Sequence, residues 1–160
     1  MYRRFSSREE LLGQLVAREA RQFIARIDEQ IGNAGPPQDR LVLAFLIFVR
    51  SLRSHDLVQR LLVTDPDRVL PLLTTGGNAA LTLGRDYIMA QARGAQAAGA
   101  TLSTEPEYVA EILIRLAHSL VLTPETVLPV EDEPRLAELA RATLVPLVFA
   151  GSERAGERDD

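Results

Sequence analysis

The chain has 160 residues, 46% of them apolar and 25% charged, with a formal net charge of −4. That is one domain's worth of ordinary globular sequence, long enough to bury a substantial core. Cysteine and lysine are both absent, all 18 basic residues being arginine, which excludes disulfides, zinc–thiolate and iron–sulfur centres, cysteine nucleophiles and any P-loop, Schiff-base or general-base lysine.

No apolar run is long enough to span a bilayer and no signal-peptide pattern opens the sequence, so the expected location is the cytoplasm, away from the membrane. Charge is unevenly spread. Residues 1–26 hold six arginines and three acids, a balance of +3, against −7 on the remainder. Such asymmetry fits either a nucleic-acid-facing end or a solvated helix.

The pattern is helical throughout. Ser7 stands three residues before Glu10, the spacing of a capping box. Behind it Leu11, Leu15, Phe23, Ile27 and Ile31, flanked by Leu12, Val16, Ala20 and Ile24, make the apolar stripe of a helix of about 25 residues. The stretch Gly32 to Pro37 ends it. A second helix is expected from about Gln38 to Ser54. Its run Leu41–Val49 is unbroken in apolar residues, which suits the middle of a bundle, and its length and leucine content favour helix over buried strand.

Short helices at 56–63 and 66–74 follow, divided by Asp65-Pro66. Gly76-Gly77 breaks the chain and Asn78 can cap a helix at about 79–98, which Gly99 closes. Ser103 or Thr104 starts another, about 104–122, with Pro106 in its first turn. An acidic loop from Thr123 to Glu133 leads to a final helix from Pro134 to about Phe149, which Pro146 should bend. The expected fold class is all-α, a bundle of six to seven helices. Residues 7–150 form the domain, and 151–160 a disordered tail.

Little in this inventory carries catalysis. The two histidines, His55 and His118, have no metal-site spacing. His55 reads as a cap or surface residue, and His118 as a core or pocket residue beside Leu113, Leu116 and Leu120. Gly76-Gly77 could cradle an anion but reads as a plain turn. Glu131, Asp132 and Glu133 read as a solvated cluster favoured by the dipole of the helix they precede. No nucleophile elbow, Rossmann fingerprint or phosphate loop is present. The sequence therefore points away from an enzyme, with no cofactor or metal expected.

The segment Tyr2-Arg3-Arg4-Phe5-Ser6-Ser7-Arg8-Glu9-Glu10-Leu11-Leu12 resembles a junction in the TetR family of bacterial transcriptional repressors. In that family a recognition helix ends in a tyrosine-x-x-phenylalanine segment, and a serine-lysine-glutamate-leucine-like cap opens the long helix joining the DNA-binding and effector domains. Tyr2, Phe5, Ser7, Glu9 and Leu11 stand in the matching places, with Arg8 for the usual lysine. The stretch from His118 to Pro124, the acidic loop and the last helix also look like the end of many such regulators.

The resemblance implies an effector-binding and dimerisation domain of a helix-turn-helix regulator. Residues 1–6 would be the remnant of the recognition helix. Tyr2 and Arg8 would touch DNA phosphates in an intact protein, contacts that position without reading bases. A small, apolar effector would enter a cavity among the middle helices, where Phe45, Phe48, Tyr87, Met89 and His118 are candidate lining residues, although plain core filling is the more ordinary role for each. A homodimer would form through the last two long helices, on Leu113, Leu116, Leu120, Leu136, Leu139, Leu144 and Leu147, because their apolar faces exceed what one core needs. The rival reading is a helical dimerising interaction or scaffold protein with no DNA role.

A chain of that family carries about 40 residues ahead of Tyr2, enough to seat a recognition helix on its supporting helices. Met1 falls inside the expected recognition helix, so operator DNA is a partner only where those preceding helices are present. This 160-residue chain should therefore show no specific operator binding. A mobility-shift titration giving salt-resistant, sequence-specific binding by this chain alone would contradict that expectation.

Overall fold

The computed structural model describes residues 7–32, 35–54, 56–75, 79–123 and 125–151. Among them are seven helices and no strand: α1 (Ser7–Ile31), α2 (Pro37–Ser54), α3 (Asp56–Thr64), α4 (Pro66–Leu73), α5 (Ala79–Ala97), α6 (Pro106–Leu122) and α7 (Glu133–Val148). This is an all-α bundle. Tyr2, His55, Gly76-Gly77, Asn78, residues 1–6 and residues 152–160 lie outside the described residues, as does the side chain of Arg8.

Local chemistry sets the helix ends. Gly32 follows α1 with φ +44°, a left-handed conformation that glycine adopts freely. Pro37 opens α2 where its missing N–H costs nothing. Beyond α5, Ala100 N–H reaches Ala95 C=O and Gly99 N–H reaches Gln96 C=O, both at 2.9 Å. With Gly99 at φ +93°, these two bonds form a Schellman close, satisfying carbonyls that the helix leaves open. At α7 the Asp132 carboxylate accepts from Arg135 N–H at 3.1 Å, an N-cap. Its neighbours in the acidic run make ion pairs to α2, Glu131 with Arg53 and Glu133 with Arg50.

One local expectation shifts. Ser103 and Thr104 do not begin α6, which starts at Pro106. The segment ahead of it instead lies antiparallel to the chain leaving α7. Leu102 bridges Phe149, Ser103 N–H donates to Val148 C=O at 2.9 Å, and Ala150 N–H donates to Thr101 C=O at 3.0 Å. The Ser103 hydroxyl also donates to Leu147 C=O. The last carbonyls of α7 thereby find partners from another part of the chain.

Packing runs in a ring. α6 lies along α5, α5 along α1, α1 beside α2, and α2 along α7. The α3–α4 pair rests on α1 through α4. No residue from Leu41 to Val49 is exposed, because α2 is held between α1 and α7. Two carbon clusters tie the ring. Ile27 and Ile31 of α1 meet Ile47 of α2. Ala92, Val109, Val148 and Phe149 meet Leu102, joining α5, α6 and the end of α7.

The expected dimer face is divided by this arrangement. Leu136 is only 2% exposed, because α7 turns that side onto α2; it is a core residue and not available to a partner. Leu113, Leu120, Leu139 and Leu144 are half-buried. Leu116 and Leu147 remain exposed, together with Tyr108 and Ile112 on α6. At the N-terminal end of α1, Leu11 is also left exposed, so the apolar stripe runs beyond the part of the helix that the bundle covers.

At Gly84, α5 comes close to α6: a Cβ there would stand 2.5 Å from Ile114 Cδ1. Ile114 can swing its free end, and alanine gains about 0.5–1 kcal/mol over glycine inside a helix. Gly84→Ala should thus stay within about 1 kcal/mol of wild type, whereas Gly84→Val, branched against the seam, should cost about 1–3 kcal/mol. Urea unfolding of both variants checks the pair. Equal stability of the two would mean that the helices are not in close contact at this point.

Candidate functional site

The helices leave between them a half-open cavity of about 390 Å³, with walls from α1, α2, α5, α6 and α7 and one residue, Leu73, from α4. That volume lies in the range of about 300–1,000 Å³ that holds small ligands. The lining is mostly carbon. Phe23 of α1 and Phe45 and Phe48 of α2 line it, and the rings of Phe23 and Phe48 meet at 5.9 Å with a 60° tilt, a favourable aromatic geometry. Leu116 lines the cavity and is 47% exposed, so the space meets solvent beside it.

Of the five residues expected around a ligand, Phe45, Phe48, Tyr87 and His118 line this cavity and Met89 does not. The α5 wall is a stripe through Leu81, Gly84, Ile88, Ala92 and Ala95. One helical step turns a side chain by about 100°, which carries Met89 off that stripe. Phe23, expected only as part of the stripe of the first helix, and Ile114 also belong to the walls. Gly84 was a readable signal, since a glycine inside a helical run often marks a close approach.

His118 is held by the fold. Its Nε2 lies 2.7 Å from Leu73 C=O. A carbonyl can only accept, so Nε2 carries the proton and donates it. The bond ties α6 to the last residue of α4, at a place where both residues line the cavity. The ring's role is thereby a tether between wall segments.

A second polar group spans three helices. The Tyr87 hydroxyl and the Gln91 amide, both on α5, each donate to Asp28 Oδ1 of α1 at 3.2 Å. Arg40 of α2 donates to Gln91 Oε1 at 2.9 Å. Arg40, Tyr87 and Gln91 line the cavity, as do Glu19, Arg26 and Ser51 at other points of its wall. Nothing in the local spacing of residues 28, 40, 87 and 91 announces this network, because it exists only once three helices have met.

Among the described residues no polar or charged residue is fully buried. No group of three or more His, Cys, Asp or Glu among them could hold a metal ion. No described helix is long and apolar enough to cross a membrane. No family model, curated protein or solved structure matches the chain.

Burial, together with the neighbouring Asp28 carboxylate, pushes the Tyr87 hydroxyl up from 10.0 to about 12. The neutral phenol is the form that the fold favours. An unfolded tyrosine ionises first, so this stabilisation is intact below pH 10 and is lost as pH rises from 10 towards 12. The ring is half exposed, so the loss should be about 1 kcal/mol rather than the full value of the shift. Urea unfolding across that window should show a decline in wild type that Tyr87→Phe lacks. Identical pH profiles would mean that Tyr87 is not held in this environment.

Proposed function

We propose that this chain is the effector-binding and dimerisation domain of a TetR-like transcriptional regulator, acting in the cytoplasm and most simply as a repressor. The observation that carries the reading is the cavity of about 390 Å³ walled by α1, α2, α5 and α6. Apolar walls with a few convergent polar groups are what a small-molecule site needs. A helix bundle without a ligand role gains nothing from leaving such a space in its middle, since unfilled volume loses packing.

The position of the cavity also suits regulation. Phe23, Ile24 and Ile27 put α1 directly against it, and α1 corresponds to the helix that joins the effector domain to the DNA-reading head in that family. A ligand touching α1 on one side and α5 and α6 on the other would favour one placement of α1 over another. That is a population shift, and it requires different ligand affinity in the two states. The small, mostly apolar effector of this proposal acts in a homodimer, whose two heads, where present, would take different spacings.

The proposed dimer uses α6 and α7. Tyr108, Ile112 and Leu116 recur every four residues along α6 and are 61%, 42% and 47% exposed, with Leu147 of α7 at 37%. Such a row is what a helical interface needs. The same row favours the second reading, a helical dimerising interaction or scaffold protein without DNA binding, and selective binding of a small effector favours the first.

The test has two parts. Sedimentation at micromolar concentration should show a dimer, whose interface should bury about 1,500 Å² or more. Ile112→Arg with Leu147→Arg should give a folded monomer, since both side chains already face solvent in the single chain. A thermal-shift screen should favour lipophilic compounds over polyanions such as nucleotides. A wild-type monomer would remove the interface, and a chain that no lipophilic compound stabilises would leave the scaffold reading.

A further inference from the structure

The wall of the cavity holds a cation, Arg40, with which no carboxylate among the described residues forms an ion pair. Arg40 is half-buried and lines the apolar space. Its only hydrogen bond among the described residues goes to a neutral group, Gln91 Oε1. No described carboxylate pairs with it. The nearest acid in the network, Asp28, is exposed, lies outside the lining, and is already engaged by Tyr87 and by the far side of the Gln91 amide. Arg26 also lines the cavity and has a partner of its own.

A guanidinium carries five N–H donors in a planar fork, and it stays charged at any working pH. One donor of Arg40 is used. Arg40 lines a space walled mostly by carbon, where an unpaired charge is costly and an incoming anion gains most. Glu19 is the lining carboxylate that would oppose an anion. It stands nine residues before Asp28 on α1, about 13 Å along the helix axis and so away from the Arg40 network.

We propose that the cavity takes an amphipathic monocarboxylate, its apolar body against Phe23, Phe45 and Phe48 and its carboxylate on Arg40. This rests on the reading of the cavity as a ligand site and adds the head group. The Gln91 amide joins Arg40 to Asp28, its Oε1 accepting from the guanidinium and its Nε2 donating to the carboxylate.

The experiment compares decanoate, decanol and methyl decanoate on the full chain and on Arg40→Met and Arg40→Lys, by displacement of a fluorescent apolar dye. Wild type should bind decanoate about ten- to a hundredfold more tightly than decanol or the ester, the worth of one charge-assisted bond. Arg40→Met should erase that preference, decanoate losing far more affinity than decanol, and its far-UV circular dichroism and thermal unfolding should show that the variant is folded. Arg40→Lys should restore part of it. Equal binding of acid and alcohol by wild type, or equal loss of both in Arg40→Met, overturns the head-group assignment and leaves an apolar ligand site standing. Failure of all three compounds to displace the dye overturns the ligand site itself, and the head-group assignment with it.

Discussion

The contact that holds Leu102 against Phe149 fixes where the walls of the cavity stand. Around it Ala92, Val109 and Val148 bring α5, α6 and the end of α7 to one point, and all but Leu102 of this cluster also line the cavity. Each residue is thus floor and fastener together. At α1 and α2 the meeting of Ile27 and Ile31 with Ile47 does the same. Between the two clusters the helices cannot collapse onto one another without breaking one of them. A cavity in a small bundle costs packing energy, and here that cost is met by tight burial in the two flanking clusters.

Polar groups refine this frame without carrying it. The ion pairs that join helices, such as Arg141 with Asp39 and Arg93 with Glu107, lie between exposed side chains, where solvent screening leaves each worth little. The bonds near the cavity have a different role. His118 to Leu73, and Arg40 to Gln91 with Tyr87 and Asp28, each link helices that carbon contacts alone would let slide. They set the position of side chains that a ligand would touch.

The helices were legible because their signals are local. Proline and glycine stand at nearly every boundary, and apolar periodicity fills the spans between. The expected and observed ends agree within two residues for all seven helices. The site was legible in part. Large apolar residues on central helices suggested Phe45, Phe48, Tyr87 and His118, and these do line the cavity. Met89 failed because one helical step changes the face, and a residue list by size ignores facing. Leu136 failed for a similar reason. Its stripe on α7 was read as surplus, but α2 covers it. Arg40 and Asp28 had no sequence signal, since a charge beside an apolar run looks the same whether it meets solvent or a cavity.

The clasp between Leu102 and Phe149 also orders events in time. These two residues are 47 apart in the chain, so their meeting closes a long loop and belongs to the slow, non-local part of folding. During synthesis, α1, α2 and α5 emerge and can associate while the floor is still open. The cavity acquires its shape only after the end of α7 has left the ribosome and docked. Until then its carbon walls are bare. The nascent chain therefore presents a greasy trough to its surroundings until the end of α7 docks and covers it.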